Sequence, residues 1–209
     1  VNSSNLKEIS TPHFDIIYGE ESQITASVIV ENCEKQYQDL VAFFGKDPDF
    51  RLPVVITSDY LVLNAYYTPS PYNRIVLYDT ITPVGSLSNF EETIVSVFRH
   101  ELTHAFTYNL RSPFIQSLSD IVGDIVSTGP FLYYPNSFVE GIAVTTESLD
   151  GVNGRLHDSS VLQILKQGKI EGKFPSWFGA SGIRDTNPVG DETYIMGGAF
   201  LDYVRTTYG

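Results

Sequence analysis

Every strand-like run in this chain falls before residue 80, and beyond residue 88 only helical patterns remain. "HFDIIYG" (13–19), "LPVVITS" (52–58) and "NRIVLYD" (73–79) are short and rich in β-branched and aromatic residues, as half-buried strands are. Between the first two, Ala26, Ile29, Val30, Cys33, Tyr37, Leu40, Val41 and Phe44 recur at three- and four-residue steps. Gly45 follows where a left-handed helix cap is wanted, so a long amphipathic helix laid on a sheet is expected. "AYYTPSPY" (65–72), which precedes the third run, suits a loop or a sheet edge. Strands first and helices afterwards make the fold class α+β, with a mixed sheet in the N-terminal half and a mostly helical C-terminal lobe.

The helical half opens at Ser88 and Glu91, which have capping-box spacing, and this first helix should run to about Leu110. An apolar helical segment follows over 112–135, closed by Gly129 and Pro130. Further helices are expected from about Ser137, near 159–167 and near 190–207. Segment 112–135 could wall or cover a cleft, but so apolar a stretch is more commonly a core helix. A chain of 209 residues supports a single domain. Its subdomains should be 1–111, the sheet with the first helix of this half, and 112–209, the helical lobe. Beginning at Val1 and ending at Gly209 directly after a helical pattern, the sequence reads as a piece of a longer chain.

Composition narrows the partners. With 42% hydrophobic residues the chain is globular, and no run is apolar for long enough to insert in a membrane. A net charge of −12 would repel nucleic acid and anionic lipid surfaces. Cys33 is the one cysteine, so neither an internal disulfide nor a thiolate metal cluster can form. Acidic charge without disulfides fits a secreted or cell-envelope bacterial protein.

Within "VFRHELTHAF" (97–106), His100 and His104 stand four residues apart with Glu101 directly after the first. On a helix this spacing turns both imidazoles to one side, where they can share one zinc ion. Glu101, on the flank, is placed to act as general base toward water at the ion's open position. Ile94, Val95, Phe98, Leu102, Ala105 and Phe106 form the apolar stripe of the same helix, and the histidines point away from it. That orientation separates them from packed core histidines.

A catalytic zinc needs a third protein ligand. Metzincins place a histidine six residues after the second, with a glycine between; here those places hold Leu110 and Thr107. His13 and His157 stand far off, so a carboxylate is favoured. Spacing leaves Glu140 in "NSFVEGIAVTTE" as the first candidate and Asp120, Asp124 and Glu147 behind it. Ser137 and Glu140 also have capping-box spacing, a purely structural use of the same glutamate.

HELTH followed at a distance by Glu140-Gly141-Ile142-Ala143 resembles the gluzincins, the zinc metallopeptidases of the peptidase MA-like group. The resemblance implies a zincin-like fold with its cleft between sheet and helical lobe, and one catalytic Zn2+ on His100, His104 and Glu140. The small residues after Glu140 would let its helix approach the HELTH helix. "TYIMGGAFLDYVRTTYG" (193–209) resembles the gluzincin Y-x-x-G helix, which implies that Tyr194 donates to the oxyanion. The aminopeptidase branch of that family also places an acid at the position of Glu147, which implies that it could orient a ligating histidine; a solvated helix glutamate is the commoner reading.

The implied activity is hydrolysis of a peptide or protein substrate, with water activated by zinc and Glu101 as base. No GAMEN stretch is present, so endopeptidase or oligopeptidase action is expected over strict aminopeptidase action. Peptide docking is expected along "PYNRIVLYD" as a sheet edge. Relatives of this type often carry a further C-terminal domain. The alternative is a catalytically inactive, zinc-stabilised binding module of a larger envelope or secreted protein.

Overall fold

Short runs rich in β-branched residues build the sheet, with burial alternating along the first two and continuous through the middle of the third. The computed structural model describes residues 5–59, 64–80, 90–123, 134–181 and 192–209. It is α+β, with a mixed five-stranded sheet in the N-terminal part and a mostly helical C-terminal part. The strands are β1 (Lys7–Ser10), β2 (Phe14–Tyr18), β3 (Leu52–Thr57), β4 (Asn64–Thr68) and β5 (Arg74–Tyr78), in the order β1-β2-β3-β5-β4. The inner three are parallel, and both outer strands run antiparallel to their neighbours. Register aligns Ile16, Val54 and Ile75, and likewise Tyr18, Ile56 and Leu77, so their side chains share one buried face.

Two helices cover that face. α1 (Gln23–Phe44) packs on β2, and α2 (Phe90–Asn109) packs on α1, β4 and β5. Ala26, Ile29, Cys33, Tyr37 and Leu40 of α1 are buried, and Gly45 caps the helix in the left-handed region at φ 65°. Ile94, Phe98, Leu102, Ala105 and Phe106 of α2 are fully buried, so the stripe read from the sequence is the core face. Aromatic rings knit the layers: Phe14 meets Phe98 edge-on at 5.6 Å, and Tyr37 meets Phe106 at 5.0 Å.

Four expectations need correction or restriction. "NRIVLYD" is not a sheet edge: β5 lies between β3 and β4, and the "AYYT" hairpin arm forms the margin. α2 is described from Phe90, so the Ser88 capping box lies outside the described residues. Of 112–135, residues 113–122 form α3 (Pro113–Val122), capped by the Ser112 hydroxyl; Gly129 and Pro130 lie outside the described residues. α3 is not a core helix, because Phe114 and Ile121 are 75% and 82% exposed.

The chain divides into two compact units, Val1–Gly129 and Pro130–Gly209. The second contains α4 (Asn136–Glu147), a 3-10 turn at Arg155–His157, α5 (Ser159–Glu171), α6 (Trp177–Ala180) and α7 (Glu192–Tyr208). Its main contact is α4 against α7. A Cβ on Gly141 would collide with the backbone of Gly197, one on Gly197 with the carbonyl of Ser137, and one on Gly198 with Val144. Gly141 therefore serves the close approach of α7. No helix among the described residues is long and apolar enough to cross a membrane.

Candidate metal centre

α2 turns His100 and His104 to the side opposite its largest core residues and carries Glu101 on the flank. Their relative exposures are 5%, 8% and 8%, so they are sheltered rather than solvated. A helical period reveals which side meets the main core, but a second layer can cover the other side. Here β4 reaches the motif: the Tyr67 N–H donates to Glu101 Oε2 at 2.8 Å.

The two imidazoles lie edge to face, ring centroids 4.9 Å apart, with Nε2 of His100 3.2 Å from Nε2 of His104. Nitrogens this close either share one N–H as a hydrogen bond or turn both lone pairs toward a common cation. Nitrogens bound to one zinc at about 2.0–2.1 Å in tetrahedral geometry lie about 3.3 Å from each other, so the pair already has a metal-chelating span. Among the described residues, ligand atoms of His100, His104 and Glu140 all lie within 4.8 Å of one another. Two imidazoles and a carboxylate converging in this way are a donor set that suits a divalent cation. The residues fit a zinc ion.

Glu140 is half-buried on α4, one residue before Gly141. The capping-box use of this glutamate does not match the helix start. Pro135 is the N-cap, and Ser137 sits inside the first turn with its hydroxyl 2.9 Å from that of Ser181. Asp120 is exposed on α3, where its carboxylate accepts from Gln116 at 2.9 Å; Asp124 lies outside the described residues.

Tyr194 stands in the first turn of α7, half-buried, with the Arg155 guanidinium carbon 4.7 Å from its ring centroid. Arg155 is held in turn by Glu147, whose Oε1 accepts from the Arg155 backbone N–H at 3.1 Å and from Nε at 2.9 Å. Glu147 is therefore not a solvated helix glutamate: its side chain is 3% exposed and ion-paired. Periodicity could not show this, because the partner arrives on a loop that folds back over the end of α4. His157 belongs to the same return, its Nε2 2.8 Å from the carbonyl oxygen of Ser148.

Outside this constellation, His13 pairs with Glu34 through Nδ1 at 2.7 Å and stacks on Tyr37 at 3.8 Å, which gives it a structural occupation. Burial pushes the Cys33 thiol up to about 11, so the one cysteine is a small core residue rather than a nucleophile. The edge strand β4, whose Tyr67 N–H reaches Glu101, was the part of this region least evident from sequence. Its signal was the tyrosine-rich stretch before the third strand-like run.

No protein-family model matches the chain. A protein of Treponema pallidum (strain Nichols), described as uncharacterized, is 31% identical over 203 residues. That match covers 96% of this chain and 18% of the Treponema protein, so the chain spans less than a fifth of its relative's length. Among solved structures, the aminopeptidase N family protein from Idiomarina loihiensis aligns with 69% of this chain and 24% of its own, at 16% identity. The TM-score is 0.38, too low to establish a common fold.

Proposed function

We propose that this chain is a zinc-dependent metallopeptidase domain of the gluzincin type, with His100, His104 and Glu140 as ligands, Glu101 as general base and Tyr194 as oxyanion donor. The observation that carries the reading is the convergence of the two histidine nitrogens and the Glu140 carboxylate within 4.8 Å. Beside them Glu101 is buried with one carboxylate oxygen bonded to β4. Zinc held there would polarise a peptide carbonyl and make water a stronger acid.

The chain's own groups do the rest. Glu101 takes the proton of the attacking water and returns it to the leaving amine. The Tyr194 hydroxyl donates to the oxygen on which negative charge develops. The margin strand β4 replaces β5 as the edge along which a peptide backbone would dock. The substrate is a peptide or protein cut internally, since the GAMEN stretch that holds a free amino terminus is missing. The acidic charge disfavours nucleic acid, and location in the bacterial envelope or outside the cell is part of the same proposal.

The test is hydrolysis of a quenched peptide library with and without chelator. Wild type should cleave, chelator should stop cleavage and added zinc should restore it. Glu101→Gln should keep its metal and lose activity by about 10²–10⁴-fold. A Glu101→Gln enzyme as active as wild type would remove Glu101 as base. Zinc without any chelator-sensitive cleavage would favour the inactive binding module.

A further inference from the structure

Tyr67 meets the motif helix through its backbone and its side chain together. Its N–H donates to Glu101 Oε2 at 2.8 Å, and its hydroxyl accepts from Asn109 Nδ2 at 3.3 Å. Its ring lies 5.5 Å from that of Tyr108. Asn109 is itself braced: Nδ2 also donates to the Ala105 carbonyl at 2.7 Å, and Oδ1 accepts from Asn73 at 3.1 Å and Arg111 at 2.9 Å. Glu101 and Asn109 stand eight residues apart on α2, so one residue of β4 spans about two turns of the helix.

On an exposed sheet margin, the outward N–H groups ordinarily bond to water. That of Tyr67 is given to a buried carboxylate 34 positions away in sequence. A hydrogen bond to a carboxylate is charge-assisted and directional, so it restricts rotation of the group that accepts it. With Oε2 held by this bond, Oε1 is the oxygen left to exchange a proton.

We infer that Tyr67 is a positioning residue: its backbone N–H, kept in place by the Asn109 and Tyr108 contacts of its side chain, fixes the Glu101 carboxylate so that Oε1 does the proton transfer. This rests on Glu101 being the base. The contact also uses up an outward donor of β4, so a peptide pairing with this edge gains no bond from the Tyr67 N–H.

Proline is tolerated on a margin strand where its N–H would face outward, which makes the donor removable. Tyr67→Ala keeps the N–H and loses the side chain, and so sets the reference for Tyr67→Pro. On the zinc-loaded protein, Tyr67→Pro should lower kcat about 10–100-fold below Tyr67→Ala at similar KM and equal zinc content. Equal kcat in the two variants would overturn the inference. A second readout needs neither turnover nor a Tyr67 variant. In 15N-labelled wild type the Tyr67 amide should be shifted downfield and protected, and in Glu101→Ala it should move upfield and exchange at least about 10-fold faster. An amide unchanged between wild type and Glu101→Ala would refute the contact. Absence of cleavage by wild type would instead sink the peptidase reading, leaving the amide readout to decide whether Tyr67 holds Glu101.

Discussion

Two helix contacts carry the proposed chemistry, and they are built from opposite materials. In the first unit α2 meets the sheet and α1 through Phe98, Leu102 and Phe106, all fully buried. In the second, α4 meets α7 through Gly141, Gly197 and Gly198, where a single added methyl would strike backbone or Val144. Large side chains give the first contact its apolar burial, so it is vulnerable to loss of volume. Closeness defines the second, which is vulnerable to gain. Glu140 adjoins Gly141, and Tyr194 stands one turn before Gly197, so both proposed functional groups of that unit ride on the glycine crossing.

The comparison can be broken from either side. Phe106→Ala, in the middle of the aromatic cluster, should lower unfolding free energy by about 3–5 kcal/mol in a urea titration; a loss below about 1 kcal/mol would mean the cluster is not the core it resembles. Gly197→Ala should cost about 2–3 kcal/mol, because the Ser137 carbonyl must move aside, and should weaken zinc binding through Glu140. A neutral Gly197→Ala with wild-type zinc affinity would show that the helices do not cross so closely.

Arg155→Ala sharpens the same contrast by leaving the buried Glu147 carboxylate without its guanidinium. A stability loss of about 2 kcal/mol is expected, together with lower kcat if Tyr194 depends on the stacked cation. The smallest effect belongs to an ion pair remote from both contacts. The Arg51 guanidinium, bonded to Asp15 at 2.5–2.8 Å, holds the Asp15 carboxyl down at about 2. A carboxyl lowered on folding contributes its stability above its unfolded value, near 3.8, and loses it as pH falls toward about 2. Both partners are partly solvated, so Asp15→Asn should cost under about 1 kcal/mol at neutral pH. The difference from wild type should shrink as pH falls toward about 2 and vanish only below it; a difference undiminished by pH would assign it to packing.

What the sequence disclosed follows the same division. Apolar periodicity identified α1, the core side of α2 and the left-handed Gly45, because burial against one layer leaves a period in the residues themselves. Strand order left no such mark. β5 is as apolar as a margin strand could be, and only the hairpin from Asn64 to Tyr78 puts β4 outside it. β1, four mostly exposed residues, carries too little pattern to be seen.

The site shows a parallel split. His100, Glu101 and His104 were legible because a helix brings residues four apart together, and Glu140 through the motif that contains it. Their burial was not, since a period reports one covered side and says nothing of a second. Glu147 looked solvated because Arg155, its partner, reaches it by a loop return rather than by helical spacing. The glycine after Glu140 was recognised as a close-approach residue, but which helix approaches is a tertiary fact: it is α7.

The most direct measurement is zinc stoichiometry by elemental analysis, on purified wild type beside His104→Ala and Glu140→Ala dialysed against the same zinc-containing buffer. One zinc per wild-type chain, lost or loosened by at least about 10-fold in both variants, is the predicted result. Metal-free wild type, or full occupancy in either variant, would contradict a shared ion on His100, His104 and Glu140.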